Sequence, residues 1–188
     1  MSFYRTRTPV KFDYMIDNIV VNRVTNISDL GIMFDQRMSF ASYINFIVSK
    51  AYSMLGFTMR ICSEFRDPLV LKSVYYSHIR SHLEYGSVVW YPVQVAQIQK
   101  LESVQKKFHM HMFKKFGWYH YVNFAPYDFK MELFGLESLE NRRTNACHYF
   151  MFDLLSRRVD ASNILVLINI SVPPVNLRYY RMLVPKII

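Results

Sequence analysis

The sequence has few of the residues that interrupt regular secondary structure. Of its 188 residues, 5 are glycine and 7 are proline, whereas 52% are hydrophobic and 16% are aromatic. This composition argues against long disordered stretches and is sufficient to bury a core. The length corresponds to one ordinary domain, or to a domain with a small appendage.

Cysteine is scarce as well. Cys62 and Cys147 are far apart and there is no second pair, which is typical of a reduced intracellular protein and gives no metal motif. His78 and His82 are four residues apart, but a zinc protease needs Glu directly after the first His, and Ile79 occupies that position. We expect no metal, no cofactor and an intracellular location, with nothing to choose between nucleus and cytoplasm.

Long apolar runs are missing too. The densest, residues 164–168, is far shorter than the ~18 apolar residues of a membrane-spanning helix. The first nine residues lack the apolar core of a secretory signal. We therefore expect no membrane partner.

Acidic residues are outnumbered, 14 against 23 basic ones, which gives a formal net charge of +9. Such a charge favours polyanions, either nucleic acid or an anionic membrane surface. The alternative is a basic protein that binds neither.

The first 38 residues have the pattern of strands. Residues 10–16 and 19–24 are rich in β-branched and aromatic side chains and flank Asp17-Asn18, which predicts a hairpin. A third strand is predicted at 30–34, after a turn at 25–29. So few strands are marginal alone and need a surface to pack on.

From Ser39, a plausible N-cap, the apolar spacing becomes helical. Asp67-Pro68 is a strong helix start, and that helix should end near Gly86. Further helices are predicted at about 94–116, 127–134, 138–158 and 162–168. The fold class is therefore α+β, mainly α: a small sheet in residues 1–38, followed in 39–188 by a bundle of five or six helices.

Short motifs along nearly the whole chain match one known family in order. They include Phe12-Asp13-Tyr14, Asp29-Leu30-Gly31-Ile32-Met33-Phe34-Asp35, Leu71-Lys72-Ser73-Val74-Tyr75, Leu83-Glu84-Tyr85, Ser87-Val88-Val89-Trp90 and Leu101-Glu102-Ser103-Val104-Gln105-Lys106-Lys107-Phe108. In this ordered series the chain resembles the region after the catalytic motifs of jockey-like non-LTR (LINE-type) retrotransposon reverse transcriptases. The resemblance implies the end of the polymerase palm followed by the helical thumb.

The resemblance also assigns one site in the sheet. The family's Leu-Gly pair lies in the palm hairpin called the primer grip, which positions the 3′ end of the growing strand. Here the corresponding residues are Leu30, Gly31 and Ile32. Glycine allows close approach of a backbone to a ligand, and the alternative for Gly31 is a bulge or close strand packing.

The third helix carries the main candidate for nucleic-acid binding. Lys100, Lys107 and Lys114 recur every seven residues and so stay near one face, with ~20° drift per step. Lys106 and Lys115 flank this row, and Arg60 and Arg80 are secondary candidates on neighbouring helices. A thumb helix with such a row would bind the phosphates of a primer–template duplex weakly and without reading bases. The alternative is an ordinary solvated helix face.

Aromatic residues after this helix, Trp118, Tyr119 and Tyr121, could stack on unpaired bases, although packing of a helix junction is the favoured interpretation.

Polymerisation in this family needs clustered carboxylates that hold two metal ions, including an adjacent Asp pair. None of the chain's aspartates are adjacent, and the family's catalytic motifs are expected upstream of Met1. The chain alone is therefore expected not to be an enzyme. Two other functions remain open: a domesticated nucleic-acid-binding module, or a protein-interaction module that recruits a partner or self-associates through an exposed strand edge.

Overall fold

The computed structural model describes residues 1–4, 12–118 and 126–168. The chain divides into two compact units, residues 1–144 and 145–188. It is mainly helical with small N-terminal hairpins, so the predicted α+β, mainly α class is confirmed. The division expected at residue 38 stays a prediction.

The predicted first hairpin is present but short. Strand β1 (Met15–Ile16) pairs antiparallel with β2 (Ile19–Val20). Asp17 and Asn18 form the turn with φ of 50° and 61°. Two positive φ angles match the twist of a two-residue hairpin, and Asp and Asn tolerate them. Residues 10 and 11 of the predicted first strand lie outside the described residues.

The prediction of a third strand at 30–34 after a turn at 25–29 was wrong in its bounds, because these residues form a second hairpin. Strand β3 (Asn26–Asp29) occupies the predicted turn and pairs with β4 (Ile32–Asp35). Leu30 and Gly31 form the tight turn, with φ of 46° and 80°. The Asn-Ile-Ser-Asp sequence of β3 has low strand propensity, but its pairing with a partner strand outweighs that local preference.

Helix α1 (Ala41–Ile61) begins differently from the prediction. Phe40, not Ser39, occupies the N-cap position, with φ 54° and no side-chain cap. Instead the Asp35 carboxylate accepts hydrogen bonds from the N–H groups of Arg37 at 2.8 Å, Ser39 at 3.1 Å and Phe40 at 2.9 Å. The last residue of β4 therefore holds the chain that leads into α1.

The second helical run consists of α2 (Pro68–Tyr75), a π-helical turn (Tyr76–Arg80) and α3 (Ser81–Glu84). Its predicted start is confirmed, since Asp67 accepts a hydrogen bond from the N–H of Leu69 at 2.8 Å with Pro68 in the first turn. It ends at Glu84, close to Gly86 as expected, and Gly86 has a φ of 61°.

The π turn follows from the spacing of the buried residues in this run. Leu71, Tyr75, Ile79 and Leu83 recur every four residues, and all four are buried. In a regular α-helix this spacing drifts by about 40° per step. The wider π turn takes up that drift and keeps the four side chains on one face.

The remaining helices in the described residues are α4 (Val95–Lys115), α5 (Tyr127–Leu133), α6 (Leu139–Leu155) and α7 (Ser162–Leu167). If the α2–α3 run counts as one helix, there are six, within the predicted number. Each lies close to its predicted range.

The core of the first unit lies between α1, the α2–α3 run, α4 and β4. Ile32 of β4 packs so closely on Gly86 that a Cβ there would lie 2.6 Å from the Ile32 Cδ1. Trp90 is fully buried, and its indole N–H donates to the Tyr85 carbonyl at 2.8 Å. Trp90 is thus hydrogen-bonded to the residue that directly follows α3.

Candidate nucleic-acid interface

Helices α1 and α4 have the same length, 21 residues, and lie side by side in the same direction. Polar contacts join them in order along both helices: Asn45 with Lys100 at 2.9 Å, Tyr52 with Ser103 at 2.7 Å, and the Cys62 carbonyl with Lys115. Because the residue numbers rise together on both sides, the helices are parallel. Together they form one continuous surface.

The lysine row predicted on α4 runs beside this helix pair. The Lys100 ammonium donates to Asn45, and the Lys107 ammonium lies 5.1 Å from the centre of the Tyr52 ring. Lys114, one heptad further on, is exposed. Lys100 and Lys107 thus lie on the side of α4 that faces α1, and the heptad spacing puts Lys114 near the same side.

Lys106 lies on another side of α4. Its ammonium is 4.9 Å from the centre of the Tyr127 ring at the start of α5. Although it is next to Lys107 in sequence, it points roughly 100° away around the helix.

Glu102 is the only acidic residue in α1 and α4, and it is buried. Its carboxylate accepts hydrogen bonds from the Tyr127 hydroxyl at 2.9 Å and from the N–H of Leu139 at 3.2 Å. Burial raises the pKa of Glu102, and the Tyr127 hydrogen bond and the Arg143 charge only partly oppose this. The exposed surface of the two helices therefore presents cations and no carboxylate of their own.

A buried polar network holds the back of α4 in place. Gln105 accepts from the Tyr75 hydroxyl at 2.9 Å and donates to the Glu137 carbonyl at 3.0 Å. Tyr75 also stacks on Phe108 with ring centres 4.2 Å apart, and burial raises the pKa of the Tyr75 hydroxyl far above its ordinary value. These contacts fix which side of α4 faces solvent.

Two further predicted cations, Lys115 and Arg80, also contact groups within the fold. The Lys115 ammonium donates to the carbonyls of Cys62 and Ser63, where α1 ends. A cation there satisfies free carbonyls and the negative end of the helix dipole. The Arg80 guanidinium lies 3.5 Å from the centre of the Tyr76 ring and 3.7 Å from a Glu84 oxygen. Arg60 is exposed in the last turn of α1.

The three residues assigned to the primer grip differ in exposure. Leu30 and Gly31 form the exposed tip of the second hairpin, where the Tyr85 hydroxyl donates to the Leu30 carbonyl at 2.9 Å. Ile32 is buried against Gly86. Gly31 is needed for the positive φ of a turn, not for a bulge.

Among the predicted aromatics, Trp118 contacts its neighbours. Its ring stacks on Phe134 with a centre-to-centre distance of 5.7 Å and lies equally close to Phe116. This agrees with the favoured packing interpretation. Tyr119 and Tyr121 lie outside the described residues.

Within residues 1–4, 12–118 and 126–168, no group of three or more His, Cys, Asp and Glu residues could hold a metal ion. No helix in those ranges has both the length and the apolar character needed to cross a membrane.

Two features of this region were not predicted from the sequence. The burial of Glu102 depends on Tyr127 and the backbone of Leu139, which are distant in sequence. The exposed rings of Phe46 and Phe57 could have been found, because both fall outside the buried positions of the α1 repeat.

Comparisons with protein-family models, with curated proteins and with solved structures found no match to this chain.

Proposed function

We propose that this chain is the palm-end and thumb segment of a non-LTR retrotransposon reverse transcriptase, which binds nucleic-acid phosphates but carries no polymerase chemistry of its own. The observation that carries the proposal is the surface of α1 and α4. It presents a row of lysines while its one carboxylate, Glu102, is buried. Phosphate contacts of this kind give affinity without sequence preference.

Lys100, Lys107 and Lys114 are the main contacts in this proposal, with Arg60 at the end of the same surface. Lys106 extends the positive field on another side of α4. Lys115 and Arg80 act indirectly, because their charged groups contact Cys62, Ser63, Tyr76 and Glu84. Of the three residues assigned to the primer grip, Leu30 and Gly31 lie at an exposed hairpin tip and can contact a nucleic acid, whereas Ile32 is buried.

The lysine row is tested by a triple variant, Lys100→Gln, Lys107→Gln and Lys114→Gln. Affinity for a short RNA–DNA duplex is measured across a range of salt concentrations. We expect weaker binding to every sequence tested. The salt slope should flatten by about one unit for each phosphate that the variant no longer binds, or about three units in all.

The matched control is Arg23→Gln, Arg37→Gln and Arg157→Gln, which removes the same charge outside α1 and α4. It should leave the slope near that of the parent protein. If the two triple variants changed the salt slope equally, binding would depend only on the net charge of the chain. That result would contradict the proposed surface. Extension of a labelled primer by the purified chain with Mg²⁺ and nucleotides would contradict the absence of polymerase chemistry.

The alternative functions are a domesticated nucleic-acid-binding module and a protein-interaction module. Genomic copy number separates a domesticated module from a retroelement segment, since relics are present in many copies and co-opted genes usually in one. The protein-interaction module is favoured by one observation, which is the exposure of the apolar side chains of the first hairpin. Absence of nucleic-acid binding even at low salt, together with capture of a partner by that hairpin, would favour it.

A further inference from the structure

Helix α1 exposes two phenylalanines, and neither is among the α1 residues that contact the lysines of α4. Phe46 and Phe57 are each 52% exposed. They are eleven residues apart, which is about three helical turns, so they point within roughly 20° of each other and lie about 16 Å apart along the axis. Two large apolar rings therefore stand in line on the solvent side of one helix.

Lys50 lies between the two rings on the same side of α1, within roughly 40° of both. Its charge acts on His82, whose pKa is lowered by burial first and then by Lys50 and His78. Lys50 is therefore close to the α2–α3 run, which packs beside α1. We call the surface formed by Phe46, Lys50 and Phe57 the aromatic strip.

The neighbourhood of the strip contains almost no negative charge. There is no Asp or Glu in α1 or in residues 68–83. Glu84, the first acid of the second run, forms an ion pair with Arg142 and lies 3.7 Å from Arg80. A ligand that covers the strip should therefore be an anion that also offers flat apolar surfaces.

Unpaired nucleotides meet both requirements, because every base has a stacking face and every linkage a phosphate. A second copy of this chain fits poorly. Its own net charge is +9, so covering the strip with another molecule would bring like charges together.

We propose that the aromatic strip binds single-stranded nucleic acid, with Phe46 and Phe57 stacking on bases and Lys50 contacting a phosphate. This inference rests on the proposed nucleic-acid binding and adds a ligand class to it. At about 3.4 Å per nucleotide, the distance between the rings corresponds to roughly five stacked nucleotides. The paired part of a substrate would lie on the lysine row and an unpaired overhang on the strip.

The test is the double variant Phe46→Leu and Phe57→Leu, which keeps apolar side chains but removes the rings. Binding is measured to a short oligothymidylate, to an abasic strand of the same length and to a blunt duplex. The parent protein should bind oligothymidylate roughly tenfold or more tighter than the abasic strand, and the variant should lose most of that preference. Affinity for the abasic strand and the duplex should stay within about twofold of the parent.

Phe129→Leu is the matched control, since Phe129 is 53% exposed on α5. It should keep the preference for bases. The unfolding temperature of every variant is measured as well, and the exposed positions should leave it nearly unchanged.

The outcomes separate the two proposals. If the parent binds none of the three ligands in a salt-dependent way, the proposed function fails. If it binds the duplex through the lysine row but the double variant keeps the preference for oligothymidylate, the aromatic strip alone is overturned. If the parent forms dimers and the double variant is monomeric, the strip is an interface between two copies of the chain. The proposed binding of single-stranded nucleic acid would then be overturned as well.

Discussion

At the scale of single residues, the back of α4 holds an unusual buried histidine. His109 is 1% exposed and, in the part of the chain that the structure describes, neither ring nitrogen has a hydrogen-bond partner. Its ring stacks on Phe134 with an interplanar angle of 13°. Burial and the Lys130 charge lower the pKa of His109 to about 4. At neutral pH it therefore packs as an uncharged aromatic ring.

This predicts a loss of stability in mild acid. The pKa of His109 is lower in the folded chain than the ordinary 6.5 of the unfolded chain, so the unfolded state gains the proton first. The contribution to stability is fully present above pH 6.5 and declines as the pH falls towards 4. Between pH 7 and pH 5 we expect the free energy of unfolding to drop by about 2 kcal/mol, measured by urea unfolding.

His109→Phe keeps a flat ring at this position and cannot take up a proton. Burial also lowers the pKa of His82 and His111, so the variant should keep a smaller decline of the same sign. The informative quantity is the difference between pH 7 and pH 5 within each protein. A decline in the variant equal to that of the parent would show that His109 does not cause it.

At the scale of elements, one carboxylate joins the sheet to the first helix. Asp35 accepts hydrogen bonds from three backbone N–H groups and from the Ser39 hydroxyl at 2.7 Å. Burial raises the pKa of Asp35, but the hydrogen bonds from Ser39, Arg37 and Phe40 outweigh it and lower the pKa below its ordinary value. The hydrogen bonds that hold the chain before α1 are therefore strongest when Asp35 is ionised.

Asp35→Ala should lower the free energy of unfolding by about 1–2 kcal/mol at pH 7, because it removes the hydrogen bonds to a charged carboxylate that order the chain before α1. The lowered pKa means that this stability is present above pH 3.8 and is lost as the pH falls through the folded pKa. The difference between parent and variant should therefore shrink in strong acid. Chemical unfolding at pH 7 and near pH 3 measures both.

Asp29→Ala is the control, because Asp29 lies at the exposed end of β3. It should change the stability by less than about 0.5 kcal/mol. Equal effects of the two substitutions at pH 7 would mean that the hydrogen bonds of Asp35 do not stabilise the start of α1.

At the scale of the whole molecule, the apolar side chains of the first hairpin are not covered by the residues that the structure describes. Phe12, Tyr14, Ile16, Val20 and Val24 are all exposed. A two-stranded hairpin is marginal by itself, and an open strand edge with apolar side chains favours pairing with another chain. Fraying and association of this segment are therefore expected.

We predict weak protection of the amides of residues 12–24 in hydrogen exchange, and association that increases with protein concentration. Ile16→Lys with Ile19→Lys should make the chain monomeric over the same range, because charged side chains block edge pairing. Light scattering during size-exclusion chromatography measures the mass. Leu69→Lys with Val93→Lys, which also replaces exposed apolar residues, should leave association unchanged. A monomeric parent with strongly protected hairpin amides would contradict the prediction.

The sequence by itself determined the order and type of most elements. Asp67-Pro68 marks the start of α2, Gly86 the end of α3, and the Asp17-Asn18 pair the first turn. These signals are local: a cap, a fixed φ angle or a turn residue acts over a few positions. The sequence also placed Lys100, Lys107 and Lys114 along one side of α4.

Tertiary structure alone decided which charges remain on the surface. Lys115 contacts Cys62 and Ser63 more than fifty positions earlier, and Glu102 is buried by groups 25 and 37 positions later. It also made a strand of residues 26–29, whose local preference is for a turn. Contacts between residues far apart in sequence compete with local propensity and leave no periodic trace, so they become visible only once the helices are packed.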